Sequence, residues 1–390
     1  MVVVSRSRLP FLAAAVGATA ALAAPITHAT RGLRRAMGAN PPADEPGIGA
    51  SPQYHDGAFW NRLPSVVTDP GNQGSMAVDF ARKGDIGRPA GTVPIVTPVL
   101  GEQAGTLAAT WLGHTTVLLE VAGHWVLVDP VWSERVSPSP TVGPKRSHPV
   151  PMELADLPRL SAVLISHDHY DHLDTPTIDA LTALQEVPFV VPLGVGAHLR
   201  RWGVPADRIV ELDWDQSHQI DDLRLTCTEA RHFSGRGFTR NKTLWSTWAL
   251  VAGTGKRRRS VFFGGDTGYT PAFSDIGAKH GPFDLTVLPI GAYDPRWSDI
   301  HVNPAEAVQM HLDVDGGVML PVHWATFDLA FHTWAAPVDW VVAEAAAHGV
   351  PLATPRPGER FDAEGTLPTT DWWTAVATRV GERQEKKRVG

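Results

Sequence analysis

Ala162-Val163-Leu164-Ile165-Ser166-His167-Asp168-His169-Tyr170-Asp171-His172-Leu173-Asp174 is an apolar run that opens into the spacing H-x-H-x-D-H. The four apolar residues form a strand candidate, and the loop behind them is loaded with imidazoles and carboxylates. His167 and His169 lie two apart, so on extended backbone they face the same way and can share one ion. Asp171 and His172 follow once the chain turns and can reach a second ion nearby. Neutral imidazole and carboxylate suit zinc or a similar divalent cation. A strand end loaded in this way implies a two-metal hydrolytic site. The bland alternative is a polar surface loop.

Working outward, other strand candidates also end on ligand-type residues. His232 follows Leu223–Thr228 by way of Glu229-Ala230-Arg231. Asp266 closes Val261-Phe262-Phe263-Gly264-Gly265, where paired glycines let the backbone turn sharply beside a ligand. His323 closes Val318-Met319-Leu320-Pro321-Val322. Strand ends can converge on one edge of a sandwich and form a rigid platform for a metal pair. Further strand candidates are Thr116–Leu119, Trp125–Val128, Phe189–Val191, Trp248–Val251, Ser260–Phe263 and Leu285–Leu288. Helices are expected at Thr175–Gln185, from Asn303-Pro304-Ala305-Glu306 onward, and at Val338–His348 ahead of Gly349. Short strands with helices between them suit two packed sheets covered by helices, and the early hairpin-like pairs argue against a purely parallel sheet.

A chain of 390 residues, 43% hydrophobic, supports one large globular core. Its net charge of -7 argues against nucleic acid as a partner. The single cysteine, Cys227, excludes an intramolecular disulfide and reads as a core residue. Arg6 and Arg8 precede the apolar run Leu9–Ala24, with an A-x-A site at Ala21-Leu22-Ala23. Residues 1–24 thus read as a signal peptide or membrane anchor, giving an exported or membrane-associated protein. Translation from Met37 would instead give a cytoplasmic one. Residues 25–50 read as linker, 51–380 as the catalytic domain and 381–390 as a charged tail. Trp297, Trp324, Trp334, Trp372 and Trp373 fall in loop-like sequence, where core packing competes with a lipid-facing rim.

Several polar residues have two readings. His301 is a candidate to protonate a leaving alkoxide, with a surface or capping role as the alternative. His114 reads as a buried structural residue, with a site-lining role as the alternative. Asp168 either braces a ligand or is solvated, and Asp174 caps a helix. Lys145 and Arg146 read as a solvated basic pair. Lys256-Arg257-Arg258-Arg259 reads as an exposed turn between two strands.

Over roughly residues 105–330 the chain resembles the metallo-β-lactamase-fold hydrolases. Within them it resembles most the N-acyl-phosphatidylethanolamine-hydrolysing phospholipase D family and its bacterial relatives. The narrower resemblance rests on Trp111-Leu112-Gly113-His114-Thr115-Thr116, Asp129-Pro130-Val131 and Gly143-Pro144-Lys145-Arg146, together with the 162–174 stretch. It continues through Gly265-Asp266-Thr267-Gly268-Tyr269, Pro289-Ile290-Gly291-Ala292-Tyr293, His301-Val302-Asn303-Pro304 and His323-Trp324-Ala325-Thr326-Phe327.

The resemblance implies an α/β fold, an αβ/βα four-layer sandwich of two mixed β-sheets with helices outside. It implies two zinc ions per chain: His167, His169 and His232 on one, Asp171, His172 and His323 on the other, Asp266 on both. Asp129 would orient a ligating histidine. Asp171, Asp266 and His301 are then the candidate catalytic residues. The implied reaction is hydrolysis of N-acyl-phosphatidylethanolamine or a related phospholipid at a membrane surface, with room for a homodimer. Rival expectations are a soluble substrate, such as a sugar-phosphate lactone or a cyclic phosphodiester, and a non-catalytic zinc protein of the cell envelope. The stretches before residue 105 and after about residue 355 match the family poorly and are expected to shape a lipid entrance.

Overall fold

The computed structural model describes residues 32–377, apart from 43, 46, 68–77 and 81. The expected signal segment and charged tail lie outside the described residues. A short helix, α1 (Leu33–Ala36), and a small hairpin of β1 (Tyr54–His55) and β2 (Ala58–Phe59) precede the main body.

The first sheet begins with β3 (Leu107–Gly113), β4 (Thr116–Val121) and β5 (His124–Val128), all antiparallel neighbours. It continues in parallel through β6 (Ala162–Leu164), β7 (Phe189–Pro192) and β8 (Ile209–Leu212), with α2 (Thr175–Leu184) and α3 (Gly196–Trp202) as the crossovers. The second sheet repeats the plan. β9 (Ser217–Ile220), β10 (Leu223–Thr228), β11 (Thr247–Ala252) and β12 (Arg259–Phe263) are antiparallel. β13 (Phe283–Pro289) and β14 (Gly316–Val322) then run parallel to β12, by way of α4 (Ala272–His280) and α5 (Pro304–Asp313). After α6 (Ala336–His348), β15 (Arg360–Asp362) returns to the edge of the first sheet and pairs with β3.

The two sheets face each other across one core. Alternation along β4 sends Val117, Leu119 and Val121 into that core and Leu118 to the opposite face. There, Leu118, Leu127 and Val163 meet Ile178, Leu181, Leu199 and Trp202 of α2 and α3. Residues of α4, α5 and α6, such as Phe273, Met310 and Val341, cover the outside of the second sheet. Both faces of both sheets are therefore covered, which is why the central strands are largely buried along their length. The result is the expected four-layer αβ/βα sandwich. Helix α5 starts on the reciprocal capping box of Asn303 and Glu306, with Pro304 in its first turn, and α6 ends on left-handed Gly349.

The lipid-rim reading of the tryptophans is overturned. All five are buried. Trp324 stacks on Trp111 at 5.5 Å between ring centroids and lies 5.4 Å from Trp372 and 5.9 Å from Trp373. Their loop-like neighbours conceal an aromatic cluster that seals the end of the sandwich. The segment read as linker is also more than linker where it is described: Ile48 is buried in the core, and Glu45 pairs with Arg200 at 2.6 Å.

Candidate metal centre

Each candidate ligand leaves the end of a strand. His167, His169, Asp171 and His172 follow β6, His232 follows β10, Asp266 follows β12 and His323 follows β14. Close approach is built into these ends. Gly265 is left-handed (φ 51°), and a Cβ there would stand 2.5 Å from the Cβ of Ser166. His114, Asp129 and His323 are left-handed although none is glycine. Such backbone costs on the order of 1–3 kcal/mol per residue and persists where surrounding contacts over-determine it.

The structure brings all seven candidates together in two groups that meet at Asp266. In the first, His167 Nε2 lies 2.8 Å from His169 Nδ1, which lies 3.3 Å from His232 Nε2. In the second, Asp171 Oδ2 stands 3.6 Å from both His172 Nε2 and His323 Nε2. Asp266 reaches His172 Nε2 through Oδ2 (3.2 Å) and His323 Nε2 through Oδ1 (3.1 Å). His301 Nδ1 is 3.9 Å from Asp266 Oδ2.

The outer nitrogens of His167, His172 and His232 are held by other partners, whereas His323 Nδ1 has none. His232 Nδ1 donates to the Ile300 carbonyl at 2.8 Å, and His172 Nδ1 meets Asp129 Oδ2 at 2.7 Å. Asp129 also accepts from the Ser166 backbone N–H (2.7 Å) and hydroxyl (2.6 Å), and that hydroxyl stands 2.9 Å from His167 Nδ1. With those three outer nitrogens engaged, the inner ones point at each other. His172 Nε2, His323 Nε2, Asp266 Oδ1 and His301 Nδ1 have no hydrogen-bond partner despite burial. Lone pairs converging without donors form a cation's donor set, so the residues fit a divalent metal.

The electrostatics agree. Burial lowers His167 and His232 well below the ordinary imidazole value, keeping both neutral. Burial would raise Asp171 and Asp266, but the neighbouring imidazoles, His172 foremost, hold both well below the usual carboxylate range. Burial would likewise lower His323, yet Asp266 and Asp171 outweigh it and push it up to about 9. The carboxylates thus draw positive charge into this half of the site.

The less certain residues now have places. His114 is both buried and at the site: its Nε2 lies 3.0 Å from Asp171 Oδ2, and burial lowers it to about 3. Asp168 is buried rather than solvated and faces His198. Asp174 heads α2 by accepting from the Thr177 and Ser133 hydroxyls rather than from a backbone N–H of the helix. The basic pair splits. Lys145 is exposed beside Glu134, whereas Arg146 is buried over the Phe327 ring. Lys256–Arg259 does lie at the turn joining β11 and β12. Ser166, the Ile300 carbonyl and Arg236 were not anticipated. The only local signal was the serine directly ahead of the first histidine.

A cleft of about 260 Å³ opens over the centre. His169, Asp171, Asp266, His301 and His323 form its floor, and Val67, Phe80, Phe233, Trp297 and Leu329 form apolar walls. Val67 and Phe80 come from the poorly matching segment before residue 105. The stretch after 355 supplies no wall among the described residues; it goes to β15 and the tryptophan cluster instead.

A family model described as a beta-lactamase superfamily domain matches residues 124–324. An uncharacterized protein of Mycobacterium tuberculosis is 51% identical over 363 residues, covering 91% of this chain and 96% of that protein. N-acyl-phosphatidylethanolamine-hydrolyzing phospholipase D 1 of Caenorhabditis elegans is 42% identical over 235 residues. That match covers 57% of this chain and 65% of the worm protein. Among solved structures, Igni18, a metallo hydrolase of Ignicoccus hospitalis, matches with TM-score 0.50 at 19% identity, over 65% of this chain and 97% of its own.

Proposed function

Because the chain belongs to the beta-lactamase superfamily, whose fold binds divalent metal in His/Asp clusters and makes it a metallo-hydrolase, we propose that it is a zinc-dependent phosphodiesterase of phospholipase D type. Its substrate in this reading is N-acyl-phosphatidylethanolamine or a related phospholipid. The observation that carries the reading is the double donor set: three imidazoles on one side, Asp171, His172 and His323 on the other, Asp266 between. His167, His169 and His232 would hold one zinc, and Asp171, His172 and His323 a second, with Asp266 shared. When bound, the ions supply hydroxide at neutral pH and polarise a phosphoryl oxygen.

The chain's own residues do the rest. Asp129, Ser166 and the Ile300 carbonyl fix the ring orientations of His172, His167 and His232. His301, unpartnered at Nδ1 and facing the cleft, is placed to give a proton to the leaving alcohol. Burial lowers its pKa to about 4, so it rests neutral and would relay a proton from water to the leaving oxygen rather than donate from a standing imidazolium. Water oxygen bonds to phosphorus, the bond to the head-group oxygen breaks, and N-acylethanolamine and phosphatidic acid leave. The apolar walls suit acyl chains. Val66, exposed next to the wall residue Val67, and the exposed Phe238 suit a bilayer surface. Export directed by residues 1–24 and a homodimer belong to the same reading.

Metal analysis of the purified protein with a phospholipid panel, scored by released head group, tests it. About two zinc per chain with N-acylethanolamine release is the expected result. Turnover of soluble cyclic phosphodiesters alone, with no vesicle binding, would replace the lipid with a soluble substrate. Tight zinc without any turnover would leave a non-catalytic metal protein.

A further inference from the structure

Behind the metal loop lies a set of contacts that the chemistry above does not use. Arg236 is buried, and its guanidinium brackets the loop from the rear. Nη1 donates to the carbonyls of Asp168 (2.7 Å) and Leu173 (2.6 Å), one at each end of the loop. The guanidinium lies 4.1 Å from the centre of the Tyr170 ring. Nε donates to the carbonyl of Ala36 at 2.9 Å, more than a hundred residues away in sequence. Asp168, buried between the ligand candidates His167 and His169, accepts from the Gly235 N–H at 2.7 Å and faces His198 Nε2 at 3.2 Å. His198 Nδ1 in turn accepts from the Ala39 N–H at 3.0 Å.

That last bond decides the state of His198. An Nδ1 that accepts carries no proton, so the neutral ring holds its proton on Nε2, where it can be donated to Asp168. The approach requires Gly38. Its φ is 70°, and a Cβ there would stand 2.1 Å from His198 Nδ1. The segment is pinned on both sides of this point: Trp202 Nε1 donates to the Arg35 carbonyl at 2.7 Å, and Asn40 Nδ2 donates to Thr239 Oγ1 at 3.0 Å.

We propose that residues 35–40 are a strap that positions the metal loop, through Ala39–His198–Asp168 on one side and Ala36–Arg236 on the other. The loop lacks a strand partner of its own, and its carbonyls at 168 and 173 are held by Arg236. Docking of the strap before metal arrives sets His167 and His169 in place, so that binding does not carry the full cost of ordering them. His198, Arg236 and Gly38 are positioning residues and touch no reacting atom. This inference rests on metal binding at the site proposed above.

Zinc affinity of the full-length protein, measured by competition with a chromophoric chelator, tests it. Gly38→Ala is expected to weaken zinc binding by about 10–100-fold, the usual effect of disturbing a ligand's outer partners. The metal-free protein should stay folded with a lowered unfolding midpoint, from the strain of a Cβ at this left-handed position. His198→Gln, which loses the Nδ1 acceptor without crowding the strap, should weaken zinc binding in the same way and serves if Gly38→Ala fails to fold. In an Asp168→Asn background, adding Gly38→Ala should cost less than it does alone, because only the Ala36–Arg236 side of the strap is left to disturb. Zinc affinity unchanged in both single variants, or additive losses in the double variant, would overturn the strap. A wild-type protein that takes up no metal would overturn the strap and the metal reading together.

Discussion

The two halves of the metal centre are built from different materials. The His167, His169 and His232 half is all imidazole, and two of its outer nitrogens rest on neutral partners, the Ser166 hydroxyl and the Ile300 carbonyl. The Asp171, His172 and His323 half is rich in carboxylate, with His172 backed by ionisable Asp129 and Asp171 touched by His114. The first half selects by ligand type and geometry, since it presents no charge of its own. The second attracts by charge, and its imidazoles shift upward for that reason. Two donor sets so unlike should differ in affinity and in how each fails.

Asp266 belongs to both halves, so Asp266→Ala should cost the most. Activity should fall by on the order of 10³-fold or more, with zinc lost from both sites. Full zinc content by elemental analysis would break the comparison at its centre.

Acid comes next, and it must be separated from metal loss before the halves are compared. Burial lowers His311, and with it His148, to about 4. The unfolded chain takes up a proton near pH 6.5, whereas these folded side chains resist until about 4. The unfolded state therefore binds more protons in that window, and stability falls as pH drops through it, by up to about 3 kcal/mol per histidine. Urea denaturation of the metal-free protein at pH 7.5 and pH 5 reads this directly, and His311→Leu should flatten the dependence.

Asp129→Asn sharpens the comparison itself. It should weaken zinc by about 10–100-fold in the carboxylate half and less in the imidazole half, which Asp129 reaches only through the Ser166 hydroxyl, leaving close to one zinc per chain under mild chelation. Equal loss from both halves would show that they act as one unit. The smallest effect is expected from His114→Gln, which keeps a donor facing Asp171. Zinc affinity should fall only about two- to fivefold, against a larger loss in His114→Ala. Equal losses in the two variants would remove the hydrogen bond from the account.

The inner ligands were legible because chemistry and position coincide: each is a histidine or aspartate directly after an apolar strand. Of their supports only Asp129 was named in advance, through the resemblance; the others arrive from far along the chain. His114 and Asp171 are 57 residues apart, and Arg236 and Asp168 are 68 apart. Nothing local to Arg236 says that it will bracket a loop. Central strands such as β5 and β6 were legible as apolar runs, since both their faces are covered, and β10 as an alternating one. Strand β9, polar at the sheet edge, and β15, three residues long, carry no such run. The tryptophans left two readings open for a related reason. Proline, glycine and threonine around them resemble surface loop, and only their convergence reveals a core.

The return of β15 to the first sheet also bears on the protein's synthesis. Strand β3 is made early, but the partner for its open edge, Phe361 opposite Ala109, is translated about 250 residues later. Until the ribosome has passed residue 362, the growing chain carries a β3 edge with unpaired amides and carbonyls. Such an edge invites pairing with a neighbouring nascent chain, and long-range closure is slow. Chains stalled or truncated short of that point should aggregate even though every metal ligand has already been made.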